Sequence, residues 1–172
     1  MTQTTNQSNT IILKNVELNW IKLSEPVDNY TGDKKIYEVQ VSVPEARESE
    51  LSEIRKTRIK DGKAIINLSK NAFLKSGEDA AKVRVVDSNK LPLDPKIIGN
   101  GSLGNVMIMQ SPYEIKHPKT GKVTKSGISS MLVAVQVTKL LKYEPKPKVD
   151  SILSLLFLFN LPAREFVKRY QV

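Results

Sequence analysis

The chain has 172 residues, with 27 lysines and arginines against 18 aspartates and glutamates, for a formal charge of +9. It contains no cysteine and one histidine, which excludes disulfides, thiolate zinc sites, a cysteine nucleophile and an imidazole metal cluster. The length suits a single domain, the excess of cations points to a polyanionic partner, and the lack of cysteine fits a reducing cytoplasm.

Residues 1–9 are Thr, Gln, Asn and Ser after the initial Met, with neither a basic nor an apolar block, and read as a disordered leader rather than a secretory signal. From Thr10 to Leu23 the pattern is that of a strand. Val16, Leu18 and Trp20 share one parity, whereas Ile11, Leu13, Ile21 and Leu23 share the other. A change of parity within one strand predicts a bulge or strong coiling, as a first strand shared by both halves of a small barrel requires. Ser24 to Asp33 reads as a loop. Tyr37, Val39, Val41 and Val43 then alternate with Glu38, Gln40 and Ser42, which predicts a second strand with one buried face.

Pro44 suits the first position of a helix. The acids Glu45, Glu48, Glu50 and Glu53 come early and Arg55, Lys56, Arg58 and Lys60 late, matching the helix dipole, and Asp61-Gly62 is the expected stop. Short strands are predicted at Ala64 to Leu68 and Val83 to Val86. The longest pair is predicted at Leu103 to Lys116 and Ile128 to Tyr143, joined through His117 to Lys122. Pro145 to Lys148 ends the strand pattern, so the domain is expected over residues 10–145, with a proline/lysine linker and an apolar, basic tail over 146–172. The apolar run Ile152 to Leu161 is far shorter than the ~20 residues a spanning helix needs, so no membrane segment is expected. Many short strands with one helix after the second favour a small Greek-key barrel over a sandwich.

Chemistry-bearing residues are sparse. Trp20 sits near Lys14 and Lys22 on one strand, where a ring can stack a base or close a core. Tyr30, in a polar loop beside Lys34 and Lys35, has no obvious core to join, whereas Tyr37 points inward; for Phe73 and Tyr113 core packing is expected. Lys82 and Arg84 alternate with Val83 and Val85 and would present two cations on one exposed face, suited to a phosphate backbone or to solvent. Lys116, Lys119, Lys122 and Lys125 surround Gly121 in a basic hairpin, and His117 there is given no chemical role. Gly99 to Ser102 lacks the spacing of a phosphate loop, and its glycines fit a tight turn instead. Asp87 with Glu114-Ile115-Lys116 forms a D…ExK pattern, which leaves a Mg²⁺-dependent nuclease as an alternative.

The run Glu17-Leu18-Asn19-Trp20-Ile21-Lys22-Leu23-Ser24-Glu25-Pro26, the strand from Lys35 to Val43 ending in Pro44, Ile98-Gly99-Asn100-Gly101-Ser102, and Leu132 to Val137 together resemble bacteriophage single-stranded-DNA-binding proteins of the OB-fold replication type. The likeness covers Thr10 to Pro145. It implies a mainly β, five-stranded OB barrel with one helix after the second strand, no catalysis and no cofactor. It also implies sequence-tolerant binding of single-stranded DNA in replication, recombination or repair, in the cytoplasm of a bacterial host, with phage replication proteins as further partners. Such proteins often end in an acidic tail, but residues 150–172 hold only two acids, Asp150 and Glu165, beside the apolar run Leu153 to Phe159. Self-association or protein interaction through this tail is therefore the remaining alternative. The expected nucleic-acid contacts are Trp20, Lys22, Tyr30, Lys34, Lys35, Lys82, Arg84, Asn105, Lys116, Lys122 and Lys125.

Overall fold

A computed structural model describes residues 8–145. The linker and tail, and all of the leader before Ser8, lie outside the described residues. Seven strands form one sheet: β1 (Asn9–Asp28), β2 (Lys35–Pro44), β3 (Arg58–Lys60), β4 (Lys63–Asn71), β5 (Arg84–Val86), β6 (Ser102–Lys116) and β7 (Val123–Lys139). Their order is β3-β4-β2-β1-β6-β7-β5, antiparallel throughout except for the parallel pairing of β5 with β7. A single short helix, α1 (Glu48–Ser52), follows β2.

β1 organises the sheet because it serves two partners in succession. Its first half, Asn9 to Leu18, pairs with β6, and its second, Glu17 to Asp28, with β2. The core takes Leu13, then Val16 and Leu18, then Leu23, so the inward parity switches twice. The switches fall at Asn15 and Trp20, whose φ values of +50° and +49° put both in the left-handed region. Each is a bulge that coils the strand, as the change of parity predicts. Coiling brings β4 and β7 together across a core of Val39, Val41, Leu68, Ile108, Leu132 and Val135. The hydrogen-bonded ladder is nevertheless open, ending at β3 and β5, and it has seven strands where five are expected.

Two expectations fail for local reasons. The helix expected from Pro44 is only a 3₁₀ turn at Glu45–Arg47 plus the five residues of α1. Asp61 and Gly62, at φ +53° and +72°, do not stop a helix; they close the β3–β4 hairpin, so Arg58 to Lys60 are extended. The loop expected from Ser24 shrinks to Asn29–Lys34. Ser24 to Asp28 stay in β1, and Pro26 is tolerated there because β6 leaves that edge at Leu18 and the ladder with β2 is bulged between Lys22 and Val27. At the other end β7 stops at Lys139, and the following residues return to the turn before β6: Gly99 N–H donates to Leu141 O at 2.6 Å. A Cβ at Gly99 would lie 2.8 Å from that same oxygen, which is why glycine occupies the turn.

Candidate nucleic-acid interface

The bulge at Asn15 is held from both sides. Its N–H donates to Asn105 Oδ1 at 3.0 Å, while Arg47 donates to the carbonyls of Asn15 and Lys14 at 3.0 and 2.8 Å. Arg47 is fixed in turn by Glu50 at 2.7 Å; this pairing lowers the Glu50 pKa and raises that of Arg47. Asn105 passes the chain of bonds onward by donating from Nδ2 to Gln136 Oε1 at 3.0 Å. The clamp settles Lys14 on the outer face of the sheet, next to Ile12.

There, Ile12, Met107 and Ala134 floor a cleft of about 380 Å³, and Lys14, Arg84 and Lys90 stand around it. Lys90 reaches the cleft from a tight turn: its φ is +63°, and Asp87 Oδ1 caps the turn by accepting from the N–H groups of Asn89 and Leu91 at 2.8 and 3.0 Å. None of these three cations has a carboxylate within ion-pair distance among the described residues. The amides that line the cleft are spent on one another and on backbone. What the cleft offers a ligand is therefore positive charge above an apolar floor, with few directional groups to read one base against another.

The expected contacts scatter over several surfaces. Arg84 and Asn105 meet in this cleft, Asn105 as the clamp of the bulge. Lys34 and Lys35 line a second hollow of about 490 Å³ with Lys75, Phe73 and Leu74, and there Lys35 is paired with Asp28 at 2.8 Å. Tyr30 stands fully exposed in the Asn29–Lys34 loop, outside the lining of either hollow. In that loop Thr31 and Asn29 donate to Asp33, which lowers its pKa.

Trp20 shares the parity of buried Val16 and Leu18 yet is 63% exposed, because its positive φ turns the side chain outward. Its N–H donates to Asn100 Oδ1 at 2.7 Å, which ties this second bulge to the turn before β6. Lys22 lies 3.6 Å from Glu38. Lys82 and Arg84 are exposed and Val83 and Val85 buried, the alternation read in the sequence. Lys116, Lys122 and Lys125 belong to the exposed end of the β6–β7 hairpin, with Lys116 facing Glu114 at 3.8 Å. One cleft cation, Lys90, escapes the sequence reading, and another, Lys14, enters it only as a neighbour of Trp20. Lys14 could be found from its alternation with inward Leu13, but nothing local in the sequence brings Lys90 to the same place.

Two further expectations are corrected. Phe73 and Tyr113 lie outside the core; Phe73 is exposed and Tyr113 half-buried on the hairpin. The D…ExK residues are not gathered either: Asp87 lies beside Gln136 at the cleft, while Glu114 is nine residues along β6 from Asn105, about 30 Å at strand rise. No group of three metal-ligating side chains occurs among the described residues, and no helix among them is long and apolar enough to cross a membrane.

The class the fold defines is a single coiled, mainly antiparallel sheet with one short helix after its second strand. Among solved structures, bacteriophage T7 gp2.5, a single-stranded DNA binding protein, shares this fold at TM-score 0.51, with 16% identity over 87% of this chain and 94% of that one. The single-stranded DNA-binding protein of bacteriophage Enc34 aligns at TM-score 0.49, with 16% identity over 84% of this chain and 89% of that one. A further structure of the Enc34 protein, in complex with ssDNA, aligns at 0.48 and 16% identity, covering 80% and 88%. No family model and no curated protein matches the chain.

Proposed function

We propose that the protein is a non-catalytic, OB-type binder of single-stranded DNA that covers strands during phage DNA replication, recombination or repair in the cytoplasm of the host. In this reading β1, β2, β4, β6 and β7 are the five strands of a Greek-key barrel, and β3 and β5 are short additions. The observation that carries it is the cleft: three cations without carboxylate partners over an aliphatic floor, on a fold shared with the T7 protein. Phosphates would meet Lys14, Arg84 and Lys90 while a base covers Ile12 and Met107, an arrangement that tolerates sequence because its polar atoms are already bonded. Lys34, Lys35 and Tyr30 at one loop, with Trp20 and Lys82 on the strands, are the accessory contacts, and Lys22, already met by Glu38, adds little at neutral pH. No metal or nucleotide enters the mechanism.

The test is fluorescence anisotropy with a labelled strand of about 30 nucleotides and its duplex, at two salt concentrations without added metal. Tighter binding of the single strand, weakening steeply with salt, is expected. Equal affinity for both forms, or none, overturns the reading, and strand cleavage on adding Mg²⁺ would restore the nuclease.

A further inference from the structure

The chain has four methionines and no cysteine, so its sulfur chemistry rests on thioethers alone. Met1 lies outside the described residues, and the other three stand together on one face of the sheet. Side chains alternate along a strand, so buried Val106 and Ile108 leave Met107 and Met109 on the outer side of β6. In the ladder Met107 lies between Ile12 of β1 and Ala134 of β7, and Met109 lies between Thr10 and Met131. All three side chains are partly exposed. Of the three, Met107 lines the cleft, where Lys14, Arg84 and Lys90 stand around it. A thioether open to solvent is oxidised readily to the sulfoxide, which turns a flexible apolar side chain into a polar one.

We infer that Met107 is a modification site: oxidation of its thioether by a peroxide weakens strand binding in the cleft, and reduction of the sulfoxide restores it. The inference rests on the strand-binding reading of the cleft and adds a regulation to it. In the forward step a sulfur lone pair attacks one peroxide oxygen, the S–O bond forms as the O–O bond breaks, and the sulfur gives up two electrons. The departing hydroxide takes the proton left on the transferred oxygen, so one hydrogen peroxide yields one sulfoxide and one water. Negative charge develops on the departing oxygen, and three cations without carboxylate partners stabilise it there. Met109 and Met131, partly exposed as well but outside the cleft lining, lack that help. The return step takes a dithiol from outside the chain: two thiols become a disulfide, and the sulfoxide oxygen leaves as water. The position of the sulfur gives the change its effect. A sulfoxide sets a polar group in a floor built by Ile12, Met107 and Ala134, and the soft contact of a thioether with a base ring is lost.

The experiment treats the full chain with dilute hydrogen peroxide, assigns each added oxygen by tandem mass spectrometry of proteolytic peptides, and measures anisotropy with a labelled oligothymidylate of about 30 nucleotides before and after. Met107 is expected to gain its oxygen ahead of Met109 and Met131, and affinity to fall roughly 2- to 10-fold, the span of one lost sulfur–ring contact. Methionine sulfoxide reductases for the two sulfoxide epimers, supplied with a dithiol, should return the affinity to its starting value; they leave an oxidised Trp20 as it is. A chain with Met109→Leu and Met131→Leu should show the same loss on oxidation, whereas Met107→Leu, compared with its own untreated form, should show none. Unchanged affinity once Met107 carries its oxygen, an equal loss in oxidised Met107→Leu, or a Met107 that stays unoxidised while Met109 and Met131 react overturns the inference. So does loss of the native circular dichroism spectrum on oxidation, since the effect would then be unfolding. If the untreated protein binds the strand and oxidation does not shift that binding, this inference falls and the cleft stands; if the untreated protein binds no strand, both fall.

Discussion

On the outer face of β2 and β4 the polar groups consume one another. Gln40 donates to Asn67 at 3.3 Å, Asn67 donates to Glu38 at 3.1 Å, Lys22 sits 3.6 Å from Glu38, and Lys63 closes on Glu17 at 2.6 Å. On the outer face of β1, β6 and β7, with β5 at its edge, Lys14, Arg84 and Lys90 keep their charge unspent. Both faces belong to the same sheet and both carry lysines. What separates them is the placement of carboxylates, since Glu38 on β2 and Glu17, where β1 turns from β6 to β2, serve the first face, and no acidic side chain among the described residues lines the cleft. Net charge becomes a local field only where it is left without counter-charges, as it is at this cleft.

The strongest way to break the comparison is to neutralise each face in turn. Replacing Lys14, Arg84 and Lys90 together by Gln is expected to weaken single-strand binding by on the order of 100-fold at low salt and to reduce the log–log salt slope by about 2, at 0.7 per phosphate contact. Replacing Lys22 and Lys63 by Gln should change affinity by less than about threefold, since their charge is already met by Glu38 and Glu17. Salt titrations of both variants provide the measurement; equal losses would mean that only overall charge matters.

A second prediction concerns the clamp. Asn105→Ala removes the acceptor for the Asn15 N–H and the donor to Gln136, and should cost about 1 to 2 kcal/mol of stability, read from the urea midpoint. It should also lower affinity per folded molecule, because Lys14 follows the bulge. Unchanged binding with reduced stability would show that the position of Lys14 does not depend on the bulge.

Much of this was legible in the sequence. The change of parity in β1, the alternation around Lys82 and Arg84, and the long β6–β7 pair all follow from period-two patterning, which is local. The false helix shows the limit: the order of acids and bases from Glu45 to Lys60 satisfies a helix dipole equally well when only its first turns are helical, and Asp61-Gly62 serves a hairpin as readily as a helix stop. Trp20 was ambiguous because parity assigns it inward, and only a positive φ, invisible in a single residue's identity, turns it out. The cleft itself joins Lys14, Arg84 and Lys90 across three segments, so no window of sequence contains it.

Trp20 provides a third, smaller test. A bulky residue at φ +49° is strained, so Trp20→Gly should raise stability by about 0.5 to 1 kcal/mol in thermal unfolding if the ring makes no compensating contact. Loss of affinity in the same variant would extend the binding surface from the cleft to the turn at Asn100; a fall in stability would mean that the ring packs usefully where it stands.

The smallest effect separates the faces by pH. Glu17 is held below the ordinary carboxylate value of 4.5, chiefly by the hydrogen bond from Lys63, and Glu50 likewise by Arg47. A carboxylate with a lowered native pKa binds its proton more readily in the unfolded chain, so its contribution to stability is complete above pH 4.5 and disappears as pH falls through the lowered native value. For Glu17, paired with a half-exposed lysine, the loss should be at most about 1 kcal/mol, and Glu17→Gln should abolish that part of the acid dependence. As Glu17 is neutralised, Lys63 loses its counter-charge and that part of the face becomes cationic too. In acid, then, replacing Lys63 should begin to weaken strand binding where at neutral pH it does not, and the contrast between the two faces should shrink over the same pH interval in which the share of stability due to Glu17 is lost.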